Sequence, residues 1–185
     1  MAKRILLLTG SPGVGKTSVL LRIVETLKAK GYGVGGMISR EVRVEGGRVG
    51  FEILDLNTGR RGWLAHVTQK QGPQVGRYRV NLGNLDRIGV EAIARAVTSS
   101  DAIIIDEIGP MELYSQKFRE AIRKVTESPK LVVGIVHWKA TDSLINEIKR
   151  RDDAEVHVVT LENRGNLHEL VSGEALNFLS ENARE

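Results

Sequence analysis

The chain contains no cysteine. That excludes a disulfide framework and any thiolate-ligated metal centre. Aromatic residues make up 4% of the chain, which leaves few platforms for stacking nucleic-acid bases. No apolar segment approaches the length of a membrane span. The first residues form a short apolar run without a cleavage pattern, so the expectation is a cytoplasmic protein with no membrane partner. Charge of one sign is scarce as well: 27 Lys and Arg face 23 Asp and Glu, for a net charge of +4. The excess is mild and scattered, whereas nucleic-acid binding calls for a clustered basic face. Nucleic acid therefore stays a possible partner without a specific signal, and oligomeric state has no signal at all. There is no internal repeat and no low-complexity segment. With 185 residues, a single domain over 1–185 with a substantial core is expected.

What is present is organised around Gly10-Ser11-Pro12-Gly13-Val14-Gly15-Lys16-Thr17. The stretch fits G-x-x-x-x-G-K-Ser/Thr, the phosphate-binding loop. Glycines let the backbone curl so that consecutive N–H groups converge on an anion. Lys16 reaches terminal phosphates as a point charge, and the Thr17 hydroxyl is placed to ligate Mg²⁺. A helix starting near Lys16, with Ser18 in its first turn, adds its positive dipole end. The context agrees with the motif. Ile5-Leu6-Leu7-Leu8 reads as a buried parallel strand, and Leu20, Ile23, Val24 and Leu27 recur at helical spacing before Gly31.

From Gly33 to Leu82 the pattern turns to antiparallel β. A strand over Gly36–Val42, a turn at Glu45-Gly46-Gly47-Arg48 and a strand over Val49–Asp55 form a hairpin. A third strand is expected at Trp63–Val67, a loop over Thr68–Gly76 and a short strand at Arg77–Asn81. Helical periodicity returns with Leu85, Ile88, Ala92, Ile93, Ala96 and Val97. Apolar strands at Ala102–Ile105, Leu131–Val136 and Val156–Val159 alternate with helices marked by Phe118–Val125, Leu144–Ile148 and Leu167–Phe178, the last weakened by Gly173. Alternation of this kind implies a mostly parallel sheet with helices on both faces. The fold class is α/β, with the block at about 33–82 as an antiparallel extension of the sheet or a flap beside it.

The second constellation is Asp106-Glu107, at the carboxyl end of the Ile103–Ile105 strand. Ligands gather at such strand ends in parallel sheets. Asp106 fits the Mg²⁺-holding position that partners a phosphate loop, and Glu107 is placed to orient or deprotonate a water. Asp106-Glu107-Ile108-Gly109 also fits D-x-x-G, in which a glycine amide touches the terminal phosphate. The companion guanine reader, N-K-x-D or T-K-x-D, is missing: Lys139 and Asp142 stand one residue too far apart. Asn163 and Arg164 follow the last strand and would lie beside the base and ribose if that strand neighbours the phosphate-loop strand. His137 and Lys139 follow another strand end. Trp63 and Trp138 read as packing residues. His66, His157 and His168 show no metal-ligand spacing.

The phosphate loop, Arg40-Glu41-Val42-Arg43 with Gly47–Phe51, Asp106-Glu107-Ile108-Gly109-Pro110-Met111-Glu112-Leu113 and Thr160-Leu161-Glu162-Asn163-Arg164 occur in that order. Together they resemble the thermophilic nucleoside-triphosphatase family, whose vertebrate members are called cancer-related nucleoside-triphosphatases. The resemblance spans nearly the whole chain and rests on the D-E-I-G-x-M-E and E-N-R segments. It implies a P-loop α/β fold and slow Mg²⁺-dependent hydrolysis of several nucleoside triphosphates to diphosphates. Lys16, Thr17, Asp106 and Glu107 match its motif positions. Two other functions use the same residues: a small kinase whose acceptor sits in the 33–82 block, and a nucleotide-dependent RNA- or protein-binding module.

Overall fold

The computed structural model describes residues 2–182. Its elements are β1 (Ile5–Thr9), α1 (Lys16–Ala29), β2 (Val34–Val44), β3 (Gly47–Asp55), β4 (Arg61–His66), β5 (Gln74–Val75), β6 (Tyr78–Val80), α2 (Leu82–Asn84), a π-helical segment (Leu85–Val90), α3 (Glu91–Ser99), β7 (Ala102–Ile108), a 3₁₀ turn (Glu112–Tyr114), α4 (Gln116–Glu127), β8 (Leu131–Val136), α5 (Ser143–Lys149), β9 (Ala154–Val158) and α6 (Leu167–Asn182). One sheet carries nine strands in the order β5-β6-β4-β3-β2-β7-β8-β1-β9.

The apolar strands sort by alternation. Ile5, Leu7, Ile103 and Ile105 point into one core with Phe118, Ile122 and Leu144. Leu6, Leu8, Ile104 and Val133 point into the other with Leu20, Ile23 and Val171. Each fully buried aliphatic or phenyl group stabilises the fold by about 1.5–3 kcal/mol, so both helical layers are held on firmly. Helices therefore cover both faces, as the buried parallel strands require.

The block at 33–82 is an extension of the sheet. Val34–Met37 pair in parallel with Ala102–Ile105, while Met37–Val44 pair antiparallel with Gly47–Asp55. A single strand thus belongs to the parallel sheet at its start and to the hairpin at its end. The loop over Thr68–Gly76 contains the short strand β5. Gly173 does not interrupt the last helix, which runs on to Asn182. The helix placed near Leu85 begins at Leu82 and passes through a π-helical turn. β7 does not stop before its acidic pair: Asp106 and Glu107 lie within the strand, across a register shift between Ile105 and Ile108, and their peptide bond is cis. Trp63 and Trp138 are not core residues, being 38% and 44% exposed. Trp63 packs edge-on against His66 and Trp138 lies beneath the Lys139 ammonium. Among the described residues no helix is long and apolar enough to cross a membrane.

Candidate active site

β1 ends in Thr9, whose buried hydroxyl donates to the Val136 carbonyl at 3.1 Å. The chain then turns through Gly10, Gly13 and Gly15 at φ 152°, 76° and 110°. At Gly10 a side chain is also excluded by space, because a Cβ there would stand 2.6 Å from the Val159 carbonyl oxygen. The loop thus nests against the start of the Thr160–Arg164 turn. Val14 anchors it in the second core, while Ser11, Pro12 and Gly13 stay exposed. The Lys16 ammonium folds back over the loop and donates to the carbonyls of Gly10 and Ser11 at 2.8 and 3.0 Å. α1 starts at Lys16 with Gly15 as its left-handed N-cap and no side-chain cap. Its first amides stay free to meet an anion.

Two strands away, Asp106 is 3% exposed. It accepts a hydrogen bond from the Thr17 hydroxyl at 2.8 Å, which joins the phosphate loop to the carboxylate strand. Burial pushes the Asp106 carboxyl up to about 7, assisted by the Glu107 charge and opposed by Thr17 and Lys16. Glu107 is raised too, again by burial, against the pull of His137 and Lys16. Glu112, 3% exposed, is raised well above the usual range by burial and then by Glu107 and Asp106. Three carboxyl groups so close in a dry place cannot all ionise without compensating positive charge. Asp106 and Thr17 offer hard oxygen donors, the ligand type that suits Mg²⁺ and not a soft metal.

Gly109 also leaves space for a neighbouring side chain. A Cβ at Gly109 would lie 2.6 Å from Glu107 Oε1 and 3.1 Å from Glu107 Cγ. The glycine makes room for the Glu107 side chain. Ile108 is 2% exposed and its carbonyl accepts from the His137 amide at 3.1 Å. The segment that follows is braced: Arg119 Nε donates to the Leu113 carbonyl at 2.7 Å and its fork pairs with Asp142, the N-cap of α5. Ser115 caps α4 and donates to Asp86 at 2.6 Å.

These residues open on a cavity of about 510 Å³. Its floor is the loop from Pro12 to Ser18 together with Asp106, Glu107 and Glu112; its far wall comes from the hairpin, through Ser39, Arg40, Glu41, Arg48 and Phe51, with Leu64, Val75 and Met111. Trp138 and His137 close one side. The hairpin arginines are held by glutamates: Arg40 by Glu52 at 2.7 Å and Arg48 by Glu41 at 2.6 Å.

β9 does neighbour β1, so the Asn163-Arg164 turn falls beside the loop, on the side opposite the hairpin. Asn163 is engaged with backbone, accepting from the Thr160 amide and donating to the Val158 carbonyl, both at 2.8 Å. It holds the turn. Arg164 lies over the loop, with its Nη1 3.4 Å from the Val14 carbonyl and its Cδ against Gly15. Sequence reasoning gave no weight to Phe51, Leu64 and Val75 at this site. Phe51 lies on β3, Leu64 on β4 and Val75 on β5, so their signal is the 33–82 block once it joins the sheet beside β7.

A family model described as NTPase matches residues 5–172. Nucleoside-triphosphatase THEP1 of Thermofilum pendens is 46% identical over 165 residues, covering 89% of this chain and 91% of that protein. The protein of the same name from Methanothermobacter thermautotrophicus is 47% identical over 163 residues, covering 88% and 91%. Among solved structures, THEP1 from Aquifex aeolicus superposes with a TM-score of 0.80 at 33% identity, covering 90% of this chain and 95% of that one. A human cancer-related nucleoside triphosphatase gives 0.78 at 36% identity, covering 92% and 96%. The fold is that of the P-loop NTPases.

Proposed function

The chain belongs to the NTPase family, and from that premise we propose that it hydrolyses nucleoside triphosphates to diphosphate and phosphate, slowly and with broad tolerance of the base, residues 1–185 acting as one domain. The observation that carries this reading is the hydrogen bond from Thr17 to Asp106, which puts a phosphate grip and a set of buried carboxylates in one cavity.

Lys16 and the loop amides hold the β- and γ-phosphates and stabilise charge as the phosphoryl group transfers. Thr17 and Asp106 are the residues that would hold Mg²⁺. Held there, Mg²⁺ would supply positive charge to offset the charge on the phosphates. Glu107 orients the attacking water and accepts its proton. Its raised carboxyl brings its basicity nearer the working pH, where a general base is most effective. Arg164 approaches the nucleoside side of the loop. No guanine-reading element accompanies the site, which supports broad base use. Purified protein with Mg²⁺ and each of ATP, GTP, CTP and UTP should release phosphate in every case; activity confined to one nucleotide would refute the broad specificity.

The cavity also supports a second reading, a kinase. Beyond the carboxylates it runs under the hairpin, where Phe51, Leu64 and Val75 add an apolar wall that a water molecule does not need. A kinase would consume ATP much faster on addition of its acceptor and yield a phosphorylated product. Phosphate release that no hydroxyl compound in a screen accelerates favours the hydrolase.

A further inference from the structure

We propose that Glu155, His157 and Glu174 form a binding site for one divalent cation of the zinc type, apart from the phosphate cavity. Glu155 and His157 are two residues apart on β9, so their side chains leave the same face of the strand. Glu174 approaches that face from α6. One ligand atom from each of the three lies within 4.8 Å of the other two. His157 is 9% exposed, and its Nε2 stands 2.9 Å from Glu174 Oε2. Two ligands at about 2.0–2.1 Å from a tetrahedral ion are about 3.3 Å apart, so replacing the shared proton by a cation asks for only a small opening of this contact. The Glu155 carboxylate is the most exposed of the three.

Charge points the same way. Among the described residues neither glutamate has a lysine or arginine within ion-pair distance, and Glu174 pairs with His157 alone. One imidazole nitrogen with two carboxylates is a borderline donor set, better suited to Zn²⁺ than to Mg²⁺. The ion would clamp the edge strand β9 to α6. Because β9 pairs with β1 up to Thr9 and leads into the Thr160–Arg164 turn, the clamp would steady the wall behind the phosphate loop. The alternative is a histidine–carboxylate hydrogen bond that binds nothing.

The test titrates Zn²⁺ into the full chain against a colorimetric zinc chelator, with millimolar Mg²⁺ present to occupy hard-oxygen sites. We expect one equivalent bound at micromolar affinity or better, and a melting temperature raised by about 5–10 °C at zinc a hundredfold above the dissociation constant. His157→Gln should abolish that equivalent. Glu155→Gln, at an exposed position on an edge strand, preserves folding and should weaken binding at least tenfold. Asp106→Asn should leave it unchanged. Absence of a bound equivalent, survival of it in both Glu155→Gln and His157→Gln, or its loss in Asp106→Asn would overturn the proposal.

Discussion

Replacing Gly109 by alanine tests whether the position of Glu107, and not merely its presence, sets the rate. No left-handed φ is required at Gly109, so alanine adds no backbone strain there. What it adds is a methyl group 2.6 Å from Glu107 Oε1 and 3.2 Å from Glu107 Cδ. Ordinary contact begins at 3.4 Å, so the carboxylate has to retreat by about 0.8 Å. The obstructed atoms are the far end of a flexible side chain, and the stability cost should be about 1 kcal/mol or less. The catalytic cost is larger, because a misplacement near 1 Å is worth about a hundredfold. We therefore expect Gly109→Ala to lower kcat roughly 30- to 100-fold, about 2–2.7 kcal/mol in barrier, with nucleotide affinity and melting temperature almost unchanged. Single-turnover phosphate release combined with equilibrium titration of a fluorescent nucleotide separates the two effects. In the double variant with Glu107→Gln the losses should not add, since both act through one group. Wild-type turnover in Gly109→Ala, or losses that add in full, would refute the assignment of Glu107 as the group the glycine accommodates.

Lys16 and Glu107 should fail differently. Lys16→Ala weakens nucleotide binding and turnover together, because the ammonium meets phosphates in ground and transition states alike. Glu107→Gln keeps Mg²⁺–nucleotide affinity and slows hydrolysis on the order of a hundredfold; steady-state kinetics with direct binding measurements decides. Asp55 gives a pH-dependent prediction. Its side chain is 2% exposed. Burial alone would raise its carboxyl, but hydrogen bonds from Thr58, the Asn57 and Thr58 amides and Arg95 outweigh that and lower it. A folded pKa below the unfolded one contributes stability above the unfolded value, about 3.9, and loses it as pH falls towards the folded value. Asp55→Asn should cost about 1–3 kcal/mol at pH 7, and melting curves of the two proteins should converge below pH 4. Phe118→Ala, at a fully buried ring, should cost about 3–5 kcal/mol in urea unfolding.

The parallel half of the fold was legible because its signals are local. Four-residue apolar runs, such as Ile5–Leu8, mark strands buried on both faces, and the glycine spacing marks the loop. Strand order follows less directly. The neighbours of β1 are β8 and β9, and β7 is reached only across β8, an arrangement produced by crossovers that periodicity does not encode. The π-helical turn at Leu85–Val90 is invisible for a related reason: the apolar spacing there still reads as helical, while the segment packs against both the hairpin and α4. Ring size suggests burial for the tryptophans, whereas Trp63 on β4 and Trp138 in the turn after β8 are partly exposed.

The site divides along the same line. The placement of Lys16 and Thr17 at the start of α1, and of Asp106 in the neighbouring part of the sheet, is readable because short motifs fix it. Gly109 is readable as a pattern that places its amide near a phosphate; that the same glycine also leaves room for the Glu107 carboxylate is a side-chain relation no motif states. Glu112 lies five residues beyond Glu107 in sequence, and its burial depends on how the 3₁₀ turn folds back beneath the cavity. His157 shows the limit most plainly. One strand residue and its neighbour two places on can be recognised as sharing a face, but the third member of their cluster, Glu174, comes from a helix seventeen residues away. Chemistry assembled from one segment is written in the sequence as spacing. Chemistry assembled across segments is written there only through the packing that brings them together, so it becomes visible when the sheet and its helices are in place.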